Sequence, residues 1–113
     1  MENCLFCRIV AGEIPATKVY EDELVLAFRD IDPKAPAHIL IVPKTHHDNM
    51  AAAVGDGALV AKLFEAACGI AVSESIADGG YRLVVNSGAD GGQSVDHLHV
   101  HLLGGRQLIW PPG

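Results

Sequence analysis

His97-Leu98-His99-Val100-His101-Leu102-Leu103 is the stretch on which the reading of this chain turns. Histidine and aliphatic residues alternate along it, and side chains along a β-strand alternate between the two faces of a sheet. An extended segment over 97–103 therefore carries His97, His99 and His101 on one face, about 6.5 to 7 Å apart, and Leu98, Val100 and Leu102 on the other. The aliphatic face is suited to packing and leaves the imidazole face for chemistry. The chain has six histidines, and the other three, His38, His46 and His47, gather around a second aliphatic run, Ile39-Leu-Ile-Val42, closed by Pro43.

Two chemistries suit such a face. Neutral imidazoles at i and i+2 can ligate zinc, and three of them can form an open catalytic site. Alternatively, an imidazole whose far nitrogen is held by a carbonyl can attack phosphorus and carry a covalent phosphoramidate while neighbouring donors stabilise the oxyanions. The loop 86–95, Asn86-Ser-Gly-Ala-Asp-Gly-Gly-Gln-Ser-Val95, leads into the histidine strand and favours the second reading. It offers backbone N–H groups, an amide and a hydroxyl, the donors a phosphate needs. Neither G-x-x-x-x-G-K-[ST] nor G-x-G-x-x-G occurs, so any phosphate site is of another kind. Cys4-x-x-Cys7 supplies two thiolates, and a closed metal site needs two further ligands, which histidines must provide.

Further out, 18–21 and 24–28 read as a hairpin across Glu21-Asp-Glu23, 38–42 as a central strand, and 81–85 as a fourth strand. A short helix is expected over 48–54 with Asp48 as its N-cap. A long one is expected over 58–77, where Leu59, Leu63, Ala67 and Ile70 recur at helical spacing, ended by Gly79-Gly80. Cys68 reads as a small buried hydrophobe within it. Strands outnumber helices and no βαβ alternation appears, so the class is α+β with a mainly antiparallel sheet.

The 113 residues, 50% apolar and 19% charged, suit one globular domain over 1–113. Eight Lys+Arg against 14 Asp+Glu give a net charge of −6, the wrong sign for a partner of polymeric nucleic acid or anionic membrane, though not for a mononucleotide. No apolar run of membrane-spanning length and no signal-peptide pattern appear, so a cytoplasmic protein is expected. Three cysteines make a disulfide framework improbable.

Together these residues resemble the histidine triad (HIT) superfamily, whose signature His-φ-His-φ-His-φ-φ, with φ apolar, is matched by 97–103. Gly88-Ala-Asp-Gly-Gly-Gln-Ser-Val95, Gly104-Gly-Arg-Gln107 and Trp110-Pro-Pro-Gly113 are similar to its Hint branch, the purine nucleoside phosphoramidases. So are Ala27-Phe-Arg-Asp-Ile31, Ala35-Pro-Ala-His38 and Ile41-Val-Pro-Lys44, and the likeness spans nearly the whole chain.

The resemblance implies a HIT-like fold with a five-stranded sheet, one long and one short helix, and a homodimer joining two sheets. The Trp110-Pro-Pro tail would pack at the dimer interface. It implies hydrolysis of purine nucleoside 5′-phosphoramidates, with AMP or GMP bound as product. His99 would be the nucleophile, His101 would hydrogen-bond the α-phosphate, and His38 would support the triad. Ser94 and Gln93 would contact phosphate or leaving group, Gly92 would allow close backbone approach, Asn86 would bond near ribose and phosphate, and Asp30 would grip the ribose hydroxyls. Phe6, Ile9, Ile14, Phe28 and Ile31 would wall the purine pocket. A structural zinc would be held by Cys4, Cys7, His46 and His97, with His47 competing for the third place, and no catalytic cofactor would be required.

The chain departs from the family at Asp96, where an aromatic residue is common and where alternation sends the carboxylate to solvent, and at Ile109, where some members are polar. The rival readings are a dinucleoside polyphosphate hydrolase or nucleotidyl transferase on the same fold, a purine-nucleotide-binding interaction module, and a three-histidine metal enzyme.

Overall fold

Alternating side chains build the sheet from its centre. The structure, a computed structural model, describes residues 3–113. Strands β1 (Lys18–Glu21), β2 (Val25–Arg29), β3 (Ala37–Pro43), β4 (Tyr81–Val84) and β5 (Val100–Gly104) lie in the order β1-β2-β3-β5-β4 with every pairing antiparallel. On one face Val25, Ala27, Ile39, Ile41, Val100 and Leu102 pack beneath helix α3 (Gly57–Ser73). On the other, Leu26, Phe28, Leu40 and Val42 pack with Cys4, Phe6 and Ile9 from helix α1 (Leu5–Val10) and its start. β3 is buried along its whole length, as a strand covered on both faces must be. His38, His97, His99 and His101 lie on the α1 face.

Asp22 fixes the β1–β2 hairpin: its carboxylate accepts from the Leu24 and Val25 amides at 2.8 and 2.9 Å and from the Tyr20 hydroxyl at 2.6 Å. Those donors, the Tyr20 hydroxyl first, hold its pKa well below the usual carboxylate range.

Several expectations need correction. α1 was not anticipated. The short helix α2 (Met50–Ala53) is capped by Asn49, whose side chain accepts from Ala52 N–H at 3.0 Å, and not by Asp48, which is engaged with His46. α3 stops at Ser73 rather than running to 77. The Glu74 N–H closes the last turn on Ile70 O, Ser75 takes φ +62°, and the chain doubles back so that Ile76 is buried against Gly104. Glu74 also receives Arg29 in a two-pronged ion pair at 2.8 and 3.0 Å, tying the helix end to β2. Gly79 and Gly80 belong to the following turn.

Cys68 is exposed, not buried, and accepts from Tyr81 Oη at 3.3 Å. The paired strand begins at Val100, not at residue 97. The backbone groups just before it are used elsewhere: Leu98 N–H donates to His47 O at 2.7 Å, and His97 O accepts from the His99 ring. The alternation nonetheless extends through 97–99, with Leu98 in the α3-side core. Among the described residues no helix is long and apolar enough to cross a membrane.

Candidate active site

His99 is 4% exposed, and its Nδ1–H donates to the His97 carbonyl at 2.8 Å. A neutral imidazole with hydrogen on Nδ1 keeps its lone pair on Nε2. Burial lowers the pKa of His99, which favours that neutral form. Phe6 meets the ring edge-on, with centroids 5.0 Å apart, and also abuts His97 and Phe28. The helix that carries Phe6 therefore braces the nucleophilic candidate.

His101 is oriented by a chain of two bonds. The Lys34 backbone N–H donates to His38 Nδ1 at 3.0 Å, so the buried His38 carries its hydrogen on Nε2. That Nε2–H lies 2.9 Å from His101 Nδ1, which must accept, leaving hydrogen on His101 Nε2. Burial, then the neighbouring histidines, push the His101 pKa down to about 4. His99 and His101, with ring centroids 4.9 Å apart, thus present opposite character: a free lone pair and an N–H donor. Asp30 Oδ2 stands 3.5 Å from His38 Nε2.

A cavity of about 240 Å³ opens in front of these rings. It brings together Phe6, Ile9, Ile14, Phe28, Asp30, Ile31, Ser94, His99 and His101, nine of the expected nucleotide-site residues. Ile31 stands at its mouth, 99% exposed in the isolated chain. Leu5, Ser94 and Val95 also border a wider groove of about 710 Å³ that runs past Cys4, His46, Asp48 and the exposed Asp96.

Asn86, Gly92 and Gln93 do not line the cavity. Gln93 is committed to the loop: its amide donates to Asp48 O at 2.7 Å and Val95 O at 3.1 Å and accepts from Gly88 N–H at 2.9 Å. Both N–H bonds of the amide are used, so the expected phosphate contact has no side-chain donor left. Gly92 has φ +83°, whereas Gly91 is the sterically demanding glycine, since a Cβ there would lie 2.5 Å from Ser87 O. The sequence counts Gly91 only among the loop's backbone donors; its steric constraint arises from the approach of Ser87, which depends on how the loop folds.

Cys4, Cys7, His46 and His97 bring one ligand atom each to within 4.8 Å of one another. Zinc at about 2.3 Å from sulfur and 2.0–2.1 Å from nitrogen, at tetrahedral angles, puts those atoms about 3.5 Å apart. The S···N separations are 3.3, 3.4 and 3.5 Å. Both rings are correctly protonated for the task. His97 Nε2 donates to Pro43 O at 2.8 Å and His46 Nε2 to Asp48 Oδ1 at 2.7 Å, so each Nδ1 lone pair faces the thiols. His47 has no place in the cluster, and its Nε2 lies 3.4 Å from Thr45 Oγ1. The donor set fits a closed zinc centre. The triad is thereby divided: His97 belongs to the cluster, and His99 is left out of it.

A sheet of this order carrying this histidine strand defines a HIT domain, and the chain belongs to that family: residues 11–108 match the HIT domain. A 14 kDa zinc-binding protein of Zea mays is 51% identical to it over 96% of this chain and 87% of its own length. An adenylylsulfatase HINT1 of Arabidopsis thaliana is 45% identical, covering 96% and 76%. The crystal structure of a HIT family hydrolase from Legionella pneumophila superposes with a TM-score of 0.96 at 53% identity, covering 98% of this chain and all of that one.

Proposed function

We propose that this single HIT domain is a cytoplasmic nucleotide hydrolase that cleaves purine nucleoside 5′-phosphoramidates through a nucleotidyl-histidine on His99. The observation that carries the reading is the opposite polarity of two adjacent rings, the buried His99 with a free Nε2 and the half-buried His101 with an Nε2–H, at the floor of an apolar cavity.

In the first step His99 Nε2 attacks phosphorus, the P–N bond to the amine breaks, and the amine leaves with a proton taken from solvent. In the second, water attacks phosphorus and returns a proton to solvent, the P–Nε2 bond breaks, the nucleoside monophosphate is released and the free imidazole is regenerated. Splitting one displacement into two lowers each barrier. His101 Nε2–H and the Ser94 hydroxyl border the phosphate position and are suited to the oxyanions. Phe6, Ile9, Ile14 and Phe28, with the exposed Ile31 at the mouth, line an apolar cavity suited to a purine, with Asp30 in its wall for the ribose hydroxyls. The groove beyond Ser94 leaves room for the departing group.

Zinc, held by Cys4, Cys7, His46 and His97, would serve structurally, and cytoplasmic reducing conditions suit its two thiolates. The chemistry needs no other cofactor. The homodimer remains part of the proposal. β4 pairs with β5 on one side and is open on the other, and Phe64, Cys68 and Val72 extend apolar surface along α3.

A second reading keeps the same nucleophile and replaces the amine by an oxyanion such as sulfate, in line with the name of the Arabidopsis relative. Steady-state hydrolysis of adenosine 5′-phosphoramidate and adenosine 5′-phosphosulfate by wild type and His99→Ala, with chelator present, tests both. The expected result is amide turnover that survives chelation and falls at least about a thousandfold in the variant. Turnover of the phosphosulfate alone selects the second reading, and AMP binding without turnover of either overturns both.

A further inference from the structure

The side chain of Gln93 spans three segments. Its two N–H bonds go to Asp48 O at 2.7 Å and Val95 O at 3.1 Å, and its Oε1 accepts from Gly88 N–H at 2.9 Å. Only one amide orientation satisfies two carbonyls and one N–H, so the placement is unambiguous. The Gln93 backbone N–H adds a bond to Gly88 O at 3.0 Å, which closes the loop 88–93 at its base. Ser94 is the next residue.

Asp48 is the other end of this contact. Its carboxylate holds the Nε2–H of His46, a member of the zinc cluster, while its carbonyl holds Gln93. Among the described residues no other hydrogen bond joins the glycine-rich loop to the segment 46–48; the bond from Leu98 N–H to His47 O falls after the loop.

We propose that Gln93 is a positioning residue through which the zinc centre holds the phosphate loop, by the path His46, Asp48, Gln93, Ser94. The proposal rests on the zinc reading above. A zinc ion restrains His46, His46 restrains Asp48, and the Asp48 carbonyl then offers Gln93 a fixed acceptor. Loss of the metal frees segment 46–48 and, with it, the loop. The nucleophile has a separate link to the same centre, because His99 is held by the carbonyl of His97. The two links can therefore be severed independently.

Amide hydrogen exchange of zinc-loaded and chelator-stripped protein tests this in wild type, Gln93→Met and Gln93→Glu. Methionine keeps the size without the bonds, and glutamate sets an oxygen against two carbonyls. In the wild type zinc is expected to slow exchange over 86–95 about tenfold or more. In both variants that effect should shrink to less than about twofold, while the zinc effect over 97–101 persists unchanged. A purely structural role would raise exchange over 86–95 without altering its response to zinc, and that result overturns the proposal. So does AMP affinity weakened by the same factor with and without zinc, which is the signature of a direct phosphate contact. Metal content separates the two levels of the argument. Full zinc occupancy with a zinc-insensitive wild-type loop refutes the coupling alone, and a chain that retains no zinc in any form refutes the zinc reading and the coupling with it.

Discussion

The ring of His99 donates from Nδ1 to the carbonyl of His97 at 2.8 Å, while the ring of His97 turns its own Nδ1 to the thiols of Cys4 and Cys7. One residue thus meets the Cys/His cluster with its side chain and the proposed nucleophile with its backbone.

Metal content should therefore follow the cluster residues and not their neighbours. Cys4→Ser/Cys7→Ser and His46→Ala should purify with little zinc, whereas His47→Ala should keep it, as elemental analysis will read directly. Structural zinc contributes folding free energy, so the metal-free variants should also melt at least about 10 °C lower. Zinc retained by the double cysteine variant would point to the triad as the metal site instead.

His38 acts on His101 through tautomer choice. His38→Phe removes the Nε2–H that His101 Nδ1 accepts, and the freed His101 ring then loses its fixed donor toward the cavity. Turnover should fall about 10- to 100-fold. His38→Gln, which can still donate, should recover part of it. Equal loss in both would argue that packing alone is at stake.

Acid should weaken the fold in a defined window. His101 sits at about 4 when folded because of burial, and near 6.5 when unfolded. Between those values the unfolded chain binds more protons, so stability falls as pH drops from about 6.5 to about 4 and is flat above it. His38 is also lowered by burial and adds in the same direction. Urea midpoints at several pH values will show the slope, which should be shallower in His101→Gln. A midpoint constant from pH 7 to 4.5 would contradict this account.

Gly91→Ala should disturb the loop more than Gly92→Ala disturbs its contacts, since only at Gly91 does a Cβ meet backbone, Ser87 O at 2.5 Å. A cost of about 1–3 kcal/mol is expected for Gly91→Ala, with turnover reduced. Gly92→Ala meets no atom, and its φ of +83° leaves only the cost of a left-handed backbone. Denaturation curves of the two variants decide the order.

Sedimentation should give a species of twice the 11.9 kDa chain mass. A charge at Val72→Lys, on the exposed face of α3, should shift it toward monomer.

The alternating pattern over 97–103 and the run 38–42 made the sheet and its histidine face legible, because period-2 alternation with one buried side leaves little freedom of register. The four members of the metal cluster were legible by type and, with the family likeness, by position. His46 is separated from His47 by its Nδ1, which faces the Cys7 thiol at 3.4 Å, and by its bond to Asp48, both of which depend on tertiary geometry. α1 was hidden because it is short and its thiols drew the reading toward metal spacing. The end of α3 was misjudged because apolar residues continue through Ile76; the left-handed Ser75 and the pull of Glu74 toward Arg29 leave no mark on periodicity. Cys68 was misplaced for a related reason. α3 carries apolar residues around much of its circumference, and composition does not say which of them face away from the sheet.

The bond from Lys34 N–H to His38 begins the sequence of donors that ends at His101, and it begins at the main chain. Its polarity is thus independent of which side chain stands at 34. Drift at that position leaves the direction of the wire intact, with one exception: Lys34→Pro deletes the starting hydrogen and lets the sequence run either way. The two imidazoles would then be free to exchange roles as donor and acceptor, and the hydrogen that His101 presents to the cavity would no longer be fixed there.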